Sequence, residues 1–246
     1  MCSSDLGVPS DRLVVHAITD GRDTPPTTGR GHLARLEERL AERGFGPIAS
    51  VMGRYWAMDR DHRWERVERA WDCLVHVPRT VAASADAALE SYYAAPTEPS
   101  LHGDEFVPPV AIGIDVEAAT RTRIADGDSV IFMNFRGDRP REITKAFVLD
   151  DAAWSEVPRG GFDRGERPKG LRFTGLTRYE EGLPIEVAFE KPERMPMILG
   201  ETLSAAGLTQ LRCAETEKFP HVTFFFNDYR EEPFPGERRI LLDSPT

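Results

Sequence analysis

A recurring order constrains this chain most: a short apolar run, a loop crowded with Arg and Asp, then apolar residues at helical spacing. Residues 13–18 read as a buried strand that stops in the turn-rich stretch 20–31. Leu33, Leu36 and Leu40 then mark one helix face, with Gly44 placed to end it. A second round follows: a strand over 47–52, a polar loop over 53–62, and a helix carrying Trp64, Val67, Trp71 and Leu74 on its apolar face. The spacing predicts a further helix over 85–93, and a strand over 130–135 that runs through 136–141 into a helix ending near Phe147. This alternation predicts an α/β domain with a mostly parallel sheet, whose ligands bind beyond the carboxyl ends of the strands.

The remainder is less regular. The stretch 150–169, rich in Gly, Pro and charge, reads as a surface loop. Pro184, Pro192 and Pro196 punctuate an expected linker over 181–196. A second α/β unit follows, with a helix over 199–206 closed by Gly207, a strand over 210–214, a short buried helix or strand over 221–226, and a strand over 239–242. Its sheet is expected to be incomplete. Trp64, Trp71 and the run Phe224, Phe225 and Phe226 are read as packing rather than as a stacking platform for bases.

Composition narrows the partners. Over 246 residues, 40% hydrophobic and 29% charged content fits a water-soluble globular protein of one domain, or one domain and part of another. A net charge of -10 argues against nucleic acid and against an anionic membrane, which leaves a small molecule as the expected ligand. Cys2, Cys73 and Cys213 are odd in number and widely separated, the pattern of free thiols in a reducing cytoplasm. A signal-peptide pattern is absent, as is any run of about 18 apolar residues, so a cytoplasmic location is expected.

Of the 31 basic residues all but Lys145, Lys169, Lys191 and Lys218 are Arg, so only clustered Arg is informative. Three loops after strands supply such clusters: Asp20, Gly21, Arg22 and Asp23; Gly53 to Asp61 with Arg54 and Arg60; and Arg136, Gly137, Asp138 and Arg139. Planar guanidinium donors match phosphate and carboxylate oxygens, and adjacent Asp residues hold them in place, so the pattern suits capture of a small anion. Ion pairs on solvated loops would produce the same local pattern. Asp23 could move a proton at a substrate hydroxyl or could stabilise a turn, and Lys218 could meet a phosphate or simply be solvated. His16, inside a strand, is expected to be a satisfied core histidine, and the six histidines show no paired spacing for a metal. The loop glycines at 21, 53 and 137 add little, since Gly is common in loops.

Four motifs in order, residues 16–26, 53–61 with 63–66, 134–139, and 215–218 through Asn227, with 230–237 behind them, resemble the signatures of cofactor-independent phosphoglycerate mutases. The resemblance runs from about residue 8 onward; residues 1–6 lie outside it. It implies interconversion of 3-phosphoglycerate and 2-phosphoglycerate through a phosphoserine, without 2,3-bisphosphoglycerate, using two divalent ions, usually manganese, in an alkaline-phosphatase-like domain. A transferase domain inserted in that one binds the glycerate. By position, Arg22, Asp23, Arg54, Arg60, Arg136, Gly137, Asp138, Arg139 and Lys218 would contact substrate, and Asp23 would assist proton exchange.

Residues 8–180 would be the transferase domain and 197–246 the start of the returning phosphatase-like domain. The nucleophilic serine and the metal ligands would lie outside this sequence, leaving an interior piece of a monomeric enzyme that is inactive alone; the alternative is a noncatalytic phosphoglycerate-binding module. Asp228 and Tyr229 stand where the family often has two glycines, and Gly137 where it often has Ala, with little effect expected from either.

Overall fold

The computed structural model describes residues 8–9, 12–190, 194–216 and 218–243. The chain divides into two compact units, one through Glu190 and one from Lys191 onward. Among the described residues no helix is long and apolar enough to cross a membrane.

In the first unit, β1 (Val15–Thr19), α1 (Gly29–Glu42), β2 (Ile48–Gly53), α2 (Arg54–Ala57) and α3 (Trp64–Val75) reproduce the strand, loop, helix order. They are followed by β3 (Val81–Ala82), α4 (Ala85–Ala94), β4 (Val110–Ile112) and α5 (Val116–Thr120). The sheet order is β1-β2-β4-β3. Every residue of β2 is buried, as befits a strand covered on both faces. The spacing of Trp64, Val67, Trp71 and Leu74 sends all four into one core with Phe147 and Phe173. Leu33 and Leu40 of α1 pack with Ile48, Val51 and Leu89 in a second cluster.

β5 (Ser129–Phe132), α6 (Arg141–Val148), α7 (Asp151–Ser155), β6 (Arg172–Thr177) and β7 (Glu186–Phe189) complete this unit. β5, β6 and β7 pair in parallel. The α/β class and parallel pairing agree with the sequence, with two differences. The strands form separate sheets, and β2 meets β4 antiparallel because β4 returns after the long excursion through α4. The expected linker over 181–196 holds β7, hydrogen-bonded to β6.

The stretch 150–169 is more than a surface loop. Trp154 and Arg164 are buried there, with Arg164 donating to the carbonyls of Ala146 and Leu149 and to Asp151. A Gly- and Pro-rich composition does not reveal that Arg164, joined by Arg167 donating to Phe147 O at 3.2 Å, satisfies the carboxyl end of α6. His16 is only half satisfied: its Nδ1 lies 2.8 Å from Ser50 Oγ, while its buried Nε2 has no partner. Burial, and then Arg123, push His16 down to about 3, so the ring is neutral. Cys73 is a free buried thiol, pushed up to about 11 by burial.

The second unit holds α8 (Leu199–Ala205), β8 (Gln210–Glu215) and β9 (Glu237–Leu242), the strands parallel and in register from Gln210 opposite Glu237 to Glu215 opposite Leu242. Between them His221–Phe225 forms a π-helical turn, where a buried element was expected. Only Thr223 of that turn is buried, and Phe225 and Phe226 are each 45% exposed. Asp228 and Tyr229 follow with φ of 52° and 64°. Both occupy the left-handed region where glycine is at ease, so these replacements carry backbone strain that the sequence did not signal.

Candidate anion-binding site

Strand register builds the site. β1 and β2 are parallel neighbours, with Thr19 opposite Gly53, so the loop leaving β1 lies beside the start of α2. Arg54, its side chain 8% exposed, donates from Nη1 to Asp20 Oδ1 at 2.5 Å and to Asp23 Oδ2 at 2.9 Å. Burial would raise the Asp20 carboxyl, but hydrogen bonds from Arg54 and from the N–H groups of Asp23 and Arg22 hold it below its ordinary range.

The third loop joins from the segment between β5 and α6. Arg60 Nη1 lies 2.9 Å from Asp138 Oδ2, Arg136 Nε lies 2.8 Å from Asp138 Oδ1, and Arg139 Nη1 donates to Met58 O at 3.0 Å. Asp138, raised by burial, is lowered on balance by Arg136 and Arg60. Arg139 records the convergence: burial first, and then the charges of Arg54, Arg60 and Arg22, make it harder to protonate. The Nε atoms of Arg54 and Arg139 are buried and lack a hydrogen-bond partner. Buried unpaired donors among mutually repelling guanidinium groups are the state that a small anion would relieve.

The other expected residues fall as follows. Arg22 is exposed, 3.7 Å from Glu105. Asp23 is exposed and tied to Arg54. Gly137 packs under Tyr179, where an added Cβ would lie 3.2 Å from Tyr179 Cα. Lys218 is exposed in the second unit, its N–H bonded to Glu215 O at 3.0 Å.

Sequence reasoning missed the brace beneath these loops. Asp104, 1% exposed, accepts from Gly29 N at 2.7 Å and from the Tyr93 hydroxyl. Its carbonyl accepts from Thr19 Oγ1 at 2.7 Å, Gly53 N donates to Val107 O at 2.7 Å, and Trp56 Nε1 donates to Phe106 O at 3.0 Å. Gly21 and Gly53 permit this contact. A Cβ on Gly21, whose φ is +68°, would meet Glu105 N at 2.6 Å, and one on Gly53 would overlap the Glu105 carbonyl. The available signal is Gly53 as the last residue of β2 and Gly21 two residues past β1.

The family model for the BPG-independent PGAM N-terminus (iPGM_N) matches residues 6–181. The chain belongs to this family. Over 97% of its length this iPGM_N chain is 54% identical to the 2,3-bisphosphoglycerate-independent phosphoglycerate mutase of Rhodopirellula baltica, covering 44% of that protein. Over 96% it is 45% identical to the protein of that name from Moorella thermoacetica, covering 43% of it. It thus spans under half the length of these relatives.

A crystal structure of Leishmania mexicana phosphoglycerate mutase at low cobalt concentration superposes with a TM-score of 0.69 at 31% identity, over 96% of this chain and 42% of that one. Among the described residues of the iPGM_N chain, no group of three or more His, Cys, Asp or Glu side chains is placed to hold a metal ion.

Proposed function

We propose that the three Arg loops form the phosphoglycerate-binding cup of a 2,3-bisphosphoglycerate-independent phosphoglycerate mutase, which in the whole protein interconverts 3-phosphoglycerate and 2-phosphoglycerate through a phosphoserine. The observation that carries this reading is the chain of contacts joining three separate loops, with Arg54 on Asp20 and Asp23, Arg60 and Arg136 on Asp138, and Arg139 on the Met58 carbonyl. Arg54, clamped by Asp20 and Asp23, is the fixed floor. Arg22 and Arg136, both mostly exposed, meet the phosphate and carboxylate from two of the loops, Arg136 held in place by Asp138. Arg60 and Arg139 complete the cup, with Asp138 fixing Arg60 and Arg136, and Gly137 keeping the loop close to Tyr179.

Asp23, exposed beside this cup, exchanges protons with the glycerate hydroxyls. Lys218, in the returning phosphatase-like segment, carries a compact positive charge of the kind that suits a phosphate. The first unit is the inserted transferase domain. The intact enzyme is a cytoplasmic monomer using two manganese ions, whose ligands lie outside this sequence.

Calorimetry of 3-phosphoglycerate with this chain and with Arg136→Ala tests the cup. The substitution weakens binding by about 1.5 to 3 kcal/mol if Arg136 makes charged hydrogen bonds to the ligand. An unchanged affinity removes Arg136 from the site, and no binding by the parent chain rejects the cup as a self-sufficient binding element.

A further inference from the structure

Glu142 stands in the first turn of α6, 3% exposed, against the loop that carries Arg60. Its Oε1 accepts from His62 N at 2.9 Å and lies 3.2 Å from His62 Nδ1, while its buried Oε2 has no hydrogen-bond partner. Asp59, 5% exposed, faces it from the loop. Asp59 Oδ2 accepts from Asp61 N at 2.9 Å and Arg63 N at 3.0 Å, and its Oδ1 lies 3.4 Å from Arg66 Nη1. The amides of Asp61 and Arg63 go to Asp59 and that of His62, between them, goes to Glu142, so two buried carboxyl groups from different elements close on one turn of chain where little water reaches them. Such a pair does not keep two negative charges at neutral pH, and a proton on one becomes a hydrogen bond to the other.

We propose that Glu142 and Asp59 share one proton, Glu142 Oε2 donating to the Asp59 carboxylate, and that this bond fixes the 58–63 loop and so positions Arg60. Glu142 is then a positioning residue of the anion cup, and the inference rests on the cup reading for the use made of Arg60. Geometry supports a joint rather than isolated contacts. The same loop is tied to the same segment by Arg139 to Met58 O, Arg60 to Asp138, and His62 N to Glu142, so residues 58–63 and 138–142 are linked at three points.

The charged groups on the meeting segments are Asp59, Arg60, Asp61, His62, Arg63, Glu65 and Arg66 on one side, and Asp138, Arg139, Arg141 and Lys145 on the other, with Arg60 paired to Asp138, Arg141 donating to Tyr179 O at 2.8 Å and Lys145 paired to Glu180 at 2.9 Å. Burial pushes Glu142 up; the His62 N–H draws it down, and Asp59 and Asp61 add to the rise, to about 7. Loss of the proton leaves two facing carboxylates and loosens the loop.

Amide hydrogen exchange on the full chain tests this without any ligand. Between about pH 5.5 and about pH 8.5 the protection factors of the Asp61, His62 and Arg63 amides should fall by about tenfold, while Ala49 and Val51 in β2 hold theirs. Glu142→Gln keeps a donor and an acceptor and should stay protected throughout; Glu142→Leu should be poorly protected at both ends. A fall in Glu142→Gln equal to the parent's, no fall in the parent, or an equal fall in β2 overturns the proposal.

Calorimetry with 3-phosphoglycerate adds the functional arm. The ratio of parent to Glu142→Gln affinity, in which the ligand's own ionisation cancels, should drop over the same range. If exchange behaves as expected and none of the variants binds phosphoglycerate, the shared proton stands and the cup reading fails. If phosphoglycerate binds with a pH-independent ratio, Glu142 does not position Arg60.

Discussion

The loops at the carboxyl ends of β1 and β2 and the loop between β8 and β9 differ in how their conformation is held. In the first unit the loops are tied to buried or half-buried groups: the buried Arg54 grips Asp20 and Asp23, Asp138 lies beneath Arg60 and Arg136, and the 103–107 segment stands behind the glycines. In the second unit the turn carrying Phe224, Phe225 and Tyr229 gathers its rings near the surface with centroids 5.2 to 5.6 Å apart, is anchored by the buried Asn227 donating to Glu237 at 2.8 Å and by Asp228 accepting from Met195 N at 2.7 Å, and has two left-handed residues that are not glycine. A loop held by buried ion pairs can keep like charges together, whereas one held by a buried amide and clustered rings carries backbone strain with no charge to direct.

The contrast is broken most severely at Gly53. Gly53→Ala drives a methyl into the Glu105 carbonyl and should destabilise the first unit by about 3 kcal/mol in urea denaturation; a loss under about 1 kcal/mol would mean that the brace yields. Replacing Arg54 with Met leaves Asp20 and Asp23 without their shared partner. Because both carboxylates reach water, the expected cost is about 2 kcal/mol, read in the same denaturation.

Glu142→Gln sharpens the comparison through pH. The carboxyl's folded value lies above its ordinary 4.5, so its folded state holds the proton longer than the unfolded chain, and stability is lost as pH rises from about 4.5 through about 7. Gln never ionises. The variant should match the parent near pH 4 and exceed it at pH 8 by on the order of 2 kcal/mol, seen as a raised Tm; parallel Tm curves would show that Glu142 does not titrate there. The smallest effect belongs to the second unit. Tyr229→Gly relieves a left-handed tyrosine but gives up edge contacts with Phe224 and Phe225, for a net gain of about 0.5 kcal/mol by hydrogen exchange of β8; a net loss would make the rings the stronger influence.

What the sequence disclosed follows from range. Leu33 and Leu40, or Trp64, Val67, Trp71 and Leu74, announce their face within one helix, and the Arg loops are visible because each is contiguous. Asp104 gives no such sign, since it holds Gly29 from 75 residues away and could equally be a solvated turn residue. Glu142 looks like an ordinary acidic residue in a first helical turn until Asp59 is seen opposite. The run of three phenylalanines misled because hydrophobicity fixes a preference for burial and not the presence of a neighbour to supply it.

Trp56, Trp64, Trp71 and Trp154, all four of the chain's tryptophans, lie in the first unit, and Trp64, Trp71 and Trp154 gather around Phe162. Indole emission therefore reports the first unit alone, while far-ultraviolet circular dichroism follows both. A denaturation curve in which the two signals separate would resolve the units optically, with no label and no truncation.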